Sequence, residues 1–152
     1  MPKKMHFSTF IDAPREAVWH AMLDPEPYKA WTSEFAAGSY YEGSWEQGSR
    51  IRFLGPDGTG MLAEIAENRP LERVSVRHLG MVGQGGVEDT ESDEVKKWAP
   101  AYENYTLSDS GTGTLVEVEM DVTPDWETYM AEAWPKALAR LKGLSEERQK
   151  EG

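Results

Sequence analysis

The sequence contains no cysteine among its 152 residues. A disulfide framework, a thiol nucleophile and a thiolate metal site are therefore excluded, and a reducing compartment is favoured. Long apolar runs are also missing, because no stretch approaches the ~18 residues of a membrane span and the first residues lack the apolar core of a signal sequence. We accordingly expect a soluble, cytoplasmic protein with no membrane partner.

Basic residues are scarce as well. There are 16 Lys and Arg residues against 27 Asp and Glu, which gives a formal net charge of -11. This charge repels phosphate backbones, so a nucleic-acid partner is not expected. The three histidines show no paired spacing, and no phosphate loop, dinucleotide fingerprint or G-x-S-x-G motif is present. We therefore predict no metal and no cofactor, and the length favours a single domain over residues 1–152.

What the chain does have is an amphipathic C-terminal segment. Thr123 and Pro124 provide a cap and a first-turn proline, which predicts a helix over about Asp125 to Glu147. At roughly 100° per residue the apolar positions form one narrow stripe. That stripe consists of Trp126, Met130, Ala133, Ala137, Leu141 and Leu144, with Trp134 at its shoulder. Pro135 lies opposite the stripe, so a bend with the apolar face on the inside is predicted near it.

Alternation of apolar and polar residues predicts strands over most of the remaining chain. They run over Lys4–Ile11, Ser39–Glu42, Arg50–Leu54, Gly60–Glu67, Glu72–Leu79, Tyr102–Ser108 and Thr114–Val122. Two short helices, Arg15–Leu23 and Tyr28–Trp31, are predicted after the first strand, whereas Gly80–Pro100 is interpreted as an acidic loop with one helical turn near Glu94–Ala99. The fold class is α+β, with a curved antiparallel sheet of six to seven strands around the C-terminal helix.

Four stretches of the sequence resemble one known superfamily. They are I-D-A-P-R-E-A-V-W at Ile11–Trp19, S-W-E-Q-G-S-R-I-R-F at Ser44–Phe53, W-A-P-A-Y-E-N-Y-T-L at Trp98–Leu107 and W-P-K-A-L-A-R-L-K at Trp134–Lys142. The chain is similar to the SRPBCC superfamily, which has the START-like, birch-pollen-allergen-like helix-grip fold. Its nearest branch resembles the C-terminal domain of the heat-shock protein 90 ATPase activator homologue. The resemblance implies a helix-grip fold with a space between sheet and helix.

The leading functional hypothesis is non-enzymatic binding of a small hydrophobic or amphipathic ligand in that space. Alternate residues of a strand share a face, and the helix stripe opposes them, so inward positions are the candidate lining. The candidates are Phe53, Met61, His78, Tyr105, Met120, Met130 and Trp134. His78 and Tyr105 would orient the ligand, and the other five would supply apolar contact.

Two further hypotheses come from the resemblance. One is a co-chaperone-like interaction domain with a chaperone as protein partner, and the other is a polyketide cyclase-type enzyme that uses His78 or Glu103. A buried Glu103 would have a raised pKa, as a general acid needs. The favoured interpretations assign no catalytic role to either residue. We expect Glu103 to reach solvent or to pair with Arg52 or Arg77, and His78 to have a water or backbone partner.

The tryptophans allow two interpretations in the same way. Trp31, Trp45, Trp98, Trp126 and Trp134 can line a pocket for a flat apolar ligand, because indole offers a large contact area and one donor. They can equally be core residues. The core interpretation is favoured for Trp19 and Trp126.

Overall fold

One antiparallel sheet and one long helix dominate the computed structural model, which describes residues 3–151. Within that range the sheet has eight strands, in the order β1-β8-β7-β5-β4-β3-β2, with β6 paired to β5. The strands are β1 (Lys3–Ile11), β2 (Tyr40–Gly43), β3 (Arg50–Leu54), β4 (Gly60–Arg69), β5 (Arg73–Val82), β6 (Glu88–Asp89), β7 (Ala101–Ser110) and β8 (Gly113–Val122). The helices are α1 (Arg15–Leu23), α2 (Pro25–Thr32), α3 (Asp93–Lys96) and α4 (Glu127–Glu151). The curved sheet and the long C-terminal helix confirm the predicted helix-grip architecture.

The centre of the sheet follows the alternation in the sequence. β8 lies between β1 and β7, so Val118 pairs with Phe7 on one side and with Tyr105 on the other. Every second residue of β8, from Val116 to Val122, is buried, while Glu117 is exposed. One face of the sheet is therefore apolar and is available to helix α4.

Helix α4 covers this face with residues spaced three and four apart. Ala133, Trp134, Ala137, Leu138 and Leu141 are all buried. The helix continues through Pro135, which is exposed, as its predicted position opposite the stripe requires. In the part of α4 whose side chains are described, the buried residues pack against α1, α2 and β1. The apolar stripe thus anchors the helix to the sheet and to the two short helices.

The predicted core position of Trp126 is wrong. Pro124–Trp126 forms a 3-10 turn, in which the Trp126 amide donates to the Thr123 carbonyl oxygen over 3.0 Å. Such a turn has about three residues per turn instead of 3.6, so the angular position of Trp126 departs from the α-helical stripe. Its side chain is 55% exposed. The buried stripe consequently starts about two turns later, at Ala133, after α4 has begun at Glu127.

The helices α1 and α2 close one end of the sheet. Val18, Trp19 and Met22 of α1 are buried, which confirms the core position of Trp19. In α2, Trp31 is buried and its indole Nε1 donates to the Met22 carbonyl oxygen over 3.1 Å. α2 begins at Pro25, earlier than predicted, because a proline is tolerated in the first turn of a helix.

The segment predicted as an acidic loop has more order than expected. β5 extends to Val82, and the two residues of β6 pair with Met81 and Val82. A Cβ at Gly80 would lie 2.0 Å from the Asp89 carbonyl oxygen, so only glycine allows this close approach. The predicted helical turn is confirmed as α3, which Ser92 caps by accepting the Val95 amide over 3.3 Å. This segment therefore lies against the sheet at a fixed place.

Candidate ligand-binding site

A cavity of about 460 Å³ lies between the sheet and the start of helix α4. Strands β4, β5, β7 and β8 form its floor, the turn before α4 forms one side, and the segment from β6 to Trp98 forms the other. Its lining consists of Met61, His78, Met81, Asp89, Glu94, Val95, Trp98, Ala101, Tyr102, Glu103, Met120, Asp121, Val122, Thr123, Trp126 and Met130. A space of this size is in the range of small-molecule sites, about 300 to 1,000 Å³.

Four of the seven candidate residues border this cavity. Met61, His78, Met120 and Met130 are part of its lining. The other three, Phe53, Tyr105 and Trp134, do not line it and lie in the packed aromatic core behind it. The Tyr105 and Trp134 ring centroids are 6.0 Å apart, and the Phe53 ring meets the His78 ring edge-on at 5.8 Å. The structure therefore brings four of the seven candidates to the cavity and packs the other three among aromatic rings.

The aromatic core is centred on Trp134. Its ring stacks on Phe7 at 6.0 Å and meets Phe35 edge-on at 4.8 Å, and Trp31 lies 6.1 Å away. The indole Nε1 of Trp134 is buried without a hydrogen-bond partner among the described residues. Trp134 therefore fills space in the packed core as a large apolar group.

A polar group, made of His78, Glu103 and Tyr105, lies where the cavity meets this core. His78 Nε2 is 3.3 Å from Glu103 Oε1, and the Tyr105 hydroxyl donates to Glu103 Oε2. The expectation that Glu103 pairs with Arg52 or Arg77 is wrong, since Arg52 bonds Glu88 and Arg77 is 3.8 Å from Glu64. Both arginines alternate onto the opposite face of the sheet. His78 likewise has a carboxylate partner where water or backbone was expected.

The protonation of this group follows from its partners. Burial alone raises the pKa of Glu103, but the hydrogen bonds from His78 and Tyr105 and the charge of His78 more than offset it, so its pKa is lowered. The raised pKa predicted for a general acid is therefore wrong. Burial, and then the charge of Glu103, raise the pKa of both Tyr105 and Tyr28. At neutral pH Glu103 is therefore a carboxylate, and the phenol of Tyr105 is neutral.

The hydrogen-bond roles at His78 are fixed by the same carboxylate. An ionised carboxylate only accepts, so Nε2 of His78 carries the proton that points to Glu103. The other nitrogen, Nδ1, is buried without a partner among the described residues. The side chain of His78 is 10% exposed and that of Glu103 is 27% exposed. Glu103 is thus the member of the group that a bound molecule reaches most easily.

The rim of the cavity carries apolar side chains that face solvent. Met81 is 40% exposed, Tyr102 is 37% exposed and Trp126 is 55% exposed. Trp98 and Trp126 were predicted as possible pocket residues, whereas Met81 and Tyr102 were not. Gly80, next to Met81, was the one sequence signal, because a glycine permits the close approach of β6 to β5. The pairing itself could not be predicted, since a strand of two residues has no periodic pattern.

No group of three or more His, Asp or Glu side chains within the described part of the chain is positioned to hold a metal ion. Among the described helices, none is long and apolar enough to cross a bilayer.

The family described as "Activator of Hsp90 ATPase homolog 1-like protein" matches residues 12–146. That match includes both short helices, seven of the eight strands and most of α4. Among curated proteins no significant sequence match is found.

Several solved structures share the fold. Protein MLL2253 from Mesorhizobium loti is 17% identical with a TM-score of 0.70, over 95% of this chain and 98% of that chain. CalU16 from Micromonospora echinospora is 20% identical with a TM-score of 0.65, over 98% and 85%. The Aha1 dimer from Colwellia psychrerythraea is 17% identical with a TM-score of 0.67, over 92% and 93%. At these identities the likeness concerns the fold alone.

Proposed function

The chain belongs to the Activator of Hsp90 ATPase homolog 1-like family, a branch of the SRPBCC superfamily, and from this premise we propose that it binds a small apolar or amphipathic molecule without transforming it. The binding site is the cavity between the sheet and the start of α4. The observation that carries the proposal is a space of about 460 Å³ bordered by four methionines and two tryptophans.

The chemistry of the lining supports this function. Met61, Met81, Met120 and Met130 offer flexible, polarisable surface that adapts to the shape of a ligand. Trp98 and Trp126 supply large flat contacts at the mouth. Apolar walls with few polar groups are typical of small-molecule sites, in which the polar groups set orientation. Here Glu103 and His78 are those groups.

A neutral hydrophobic fluorophore such as N-phenyl-1-naphthylamine tests the proposal. Its fluorescence should rise on binding to the folded protein, and Met120→Trp, which fills the floor of the cavity, should abolish the rise. Leu144→Trp is the matched control, because it adds the same ring to α4 outside this cavity. Thermal unfolding of both variants checks that they fold. A folded Met120→Trp variant that binds the probe as the wild type does would refute the proposal.

A co-chaperone-like interaction domain is the second candidate. It is favoured by the family and by exposed apolar side chains, which are Met81 and Trp126 at the cavity and Val87 just before β6. Exposed apolar groups of this kind are common in protein interfaces. The test is stimulation of the ATPase of a heat-shock protein 90 by the purified protein. Stimulation that Trp126→Ala removes and Met120→Trp retains would favour this candidate over the cavity.

A further inference from the structure

The charges that line the cavity are of one sign. In the part of the chain that the structure describes, the lining includes Asp89, Glu94, Glu103 and Asp121 but no lysine and no arginine. Among the described lining residues, His78 is the one that can become positive, and it already faces Glu103. A bound molecule therefore meets an acidic environment.

Two of the four carboxylates are engaged by a lysine or by backbone amides. Asp121 Oδ1 lies 3.4 Å from Lys4 Nζ, and its Oδ2 accepts the Tyr102 amide over 2.9 Å. Asp89 accepts two backbone amides in the turn before α3, over 3.0 and 3.2 Å. These two side chains hold the walls in place. The carboxylates that remain for a ligand are Glu103 on the floor and Glu94 at the mouth.

Glu103 has capacity for another hydrogen bond. Its two oxygens accept from His78 and Tyr105, whereas an ionised carboxylate offers about four lone-pair sites. Its side chain is 27% exposed within a cavity of mostly apolar walls. A charge in such a setting interacts more strongly with a nearby opposite charge than it does in water.

The aromatic rings at the mouth favour the same kind of ligand. Trp98 and Trp126 both line the cavity, and tryptophan is the side chain whose ring face attracts cations best. Glu94 of α3 is exposed, lines the cavity as Trp98 does, and adds negative charge at the mouth. An anionic head group would meet carboxylates at the mouth and on the floor.

We infer that the cavity selects an amphipathic cation, whose apolar body lies against the methionines and whose protonated amine or quaternary ammonium faces Glu103. This inference rests on the proposed binding function and adds the class of ligand to it. Selection comes from two sources. A cation gains a charge-assisted contact with Glu103, and an anion of the same shape is repelled.

Three probes with one apolar body separate these effects. They are 4-phenylbutylamine, 4-phenylbutanol and 4-phenylbutanoate, titrated by calorimetry at pH 8, where the amine is protonated and the acid is ionised. The amine should bind about tenfold more tightly than the alcohol, as expected for a charge-assisted contact over a neutral one. The butanoate should bind more weakly than the alcohol. Added salt should reduce the advantage of the amine.

Substitution of Glu103 assigns the effect to one residue. Glu103→Gln keeps the size of the side chain and its ability to accept from Tyr105, and it should bring the amine and the alcohol to nearly equal affinity. The matched control is Glu132→Gln, an equal change in net charge on the exposed face of α4, which should keep the tenfold ratio. Glu94→Gln, whose side chain is exposed, tests the mouth separately and should reduce the ratio about two- to threefold.

The outcomes distinguish this inference from the function on which it rests. Equal affinities of amine and alcohol for the wild type, or a ratio unchanged in both Glu103→Gln and Glu94→Gln, would overturn the choice of a cation and leave ligand binding intact. If none of the three probes binds, and the neutral fluorophore also fails to bind, the binding function itself is refuted.

Discussion

The two halves of the space under helix α4 differ in what the sheet offers to the helix. At the closed half, Trp134 meets the rings of Phe7, Phe35 and Tyr105, and the space is filled. One helical turn earlier, at the open half, Met130 lines the cavity together with Ala101 and Glu103. Strand β7 and helix α4 border both halves. On these two elements the difference lies in the side chains, because large rings fill the space in the closed half and smaller groups leave it open in the other.

This difference divides stability from function between the two halves. Buried aromatic surface in the closed half contributes to the free energy of folding. In the open half, apolar and charged groups border a cavity. They contribute less to the free energy of folding, and they remain available for contact with a ligand. Substitutions in the two halves should consequently have opposite profiles, with large effects on stability in one and on binding in the other.

Removal of the ring at the centre of the closed half should have the largest effect. Trp134→Ala should lower the free energy of unfolding by about 3 to 5 kcal/mol, because it leaves a cavity among four aromatic rings. Urea denaturation of the variant and the wild type measures this loss of stability. A midpoint equal to that of the wild type would mean that the two halves do not differ in packing.

A substitution at the boundary between the two halves, where Tyr105 contacts Glu103, should change the free energy of unfolding less. Tyr105→Phe removes the hydroxyl that donates to Glu103 and should cost about 1.5 to 3 kcal/mol, the range for a hydrogen bond to a charged group. Tyr102→Phe on the same strand is the control, since that side chain is exposed and should change stability by less than about 0.5 kcal/mol. Equal effects of the two substitutions would show that the buried contact contributes nothing.

The charge of Glu103 at this boundary makes the stability of the fold depend on pH. The pKa of Glu103 in the folded state lies below its ordinary value of 4.5, so its ionised form stabilises the fold above that pH. The stabilisation is lost as the pH falls through the folded-state pKa. Unfolding of wild type and Glu103→Gln between pH 7 and pH 3 should show a difference that is constant at the upper end and shrinks towards acid. Parallel curves down to pH 3 would contradict the lowered pKa.

Much of the architecture was predictable because it repeats along the sequence. Alternation in β8 and the spacing of Ala133, Ala137 and Leu141 directly gave the apolar face of the sheet and the stripe of the helix. Each of these signals extends over several turns or pleats, so one exception does not hide it. The general fold followed from these elements together with the resemblance to a known superfamily.

The site was less predictable because it depends on pairs of residues that are distant in sequence. His78 meets Glu103 because β5 pairs with β7, and their 25-residue separation carries no local signal. Inward orientation could be predicted for Tyr105 and Trp134, but whether they line a cavity or pack on each other depends on the size of their neighbours. The prediction for Trp126 was wrong for a local reason, since a 3-10 turn replaces the α-helical period there.

The open half provides the smallest expected change in stability. Trp126→Ala should alter the free energy of unfolding by no more than about 0.5 kcal/mol, as Glu132→Ala on the exposed face of α4 should, because the indole is 55% exposed. It should nevertheless weaken binding of the neutral fluorophore about threefold to tenfold, since the ring forms part of the cavity mouth. Denaturation and fluorescence titration of the two variants decide the matter together. A loss of about 3 kcal/mol or more in Trp126→Ala alone would return this residue to the helix stripe and the core. Unchanged binding in both variants would instead move the ligand contact away from the mouth, towards the methionines on the floor.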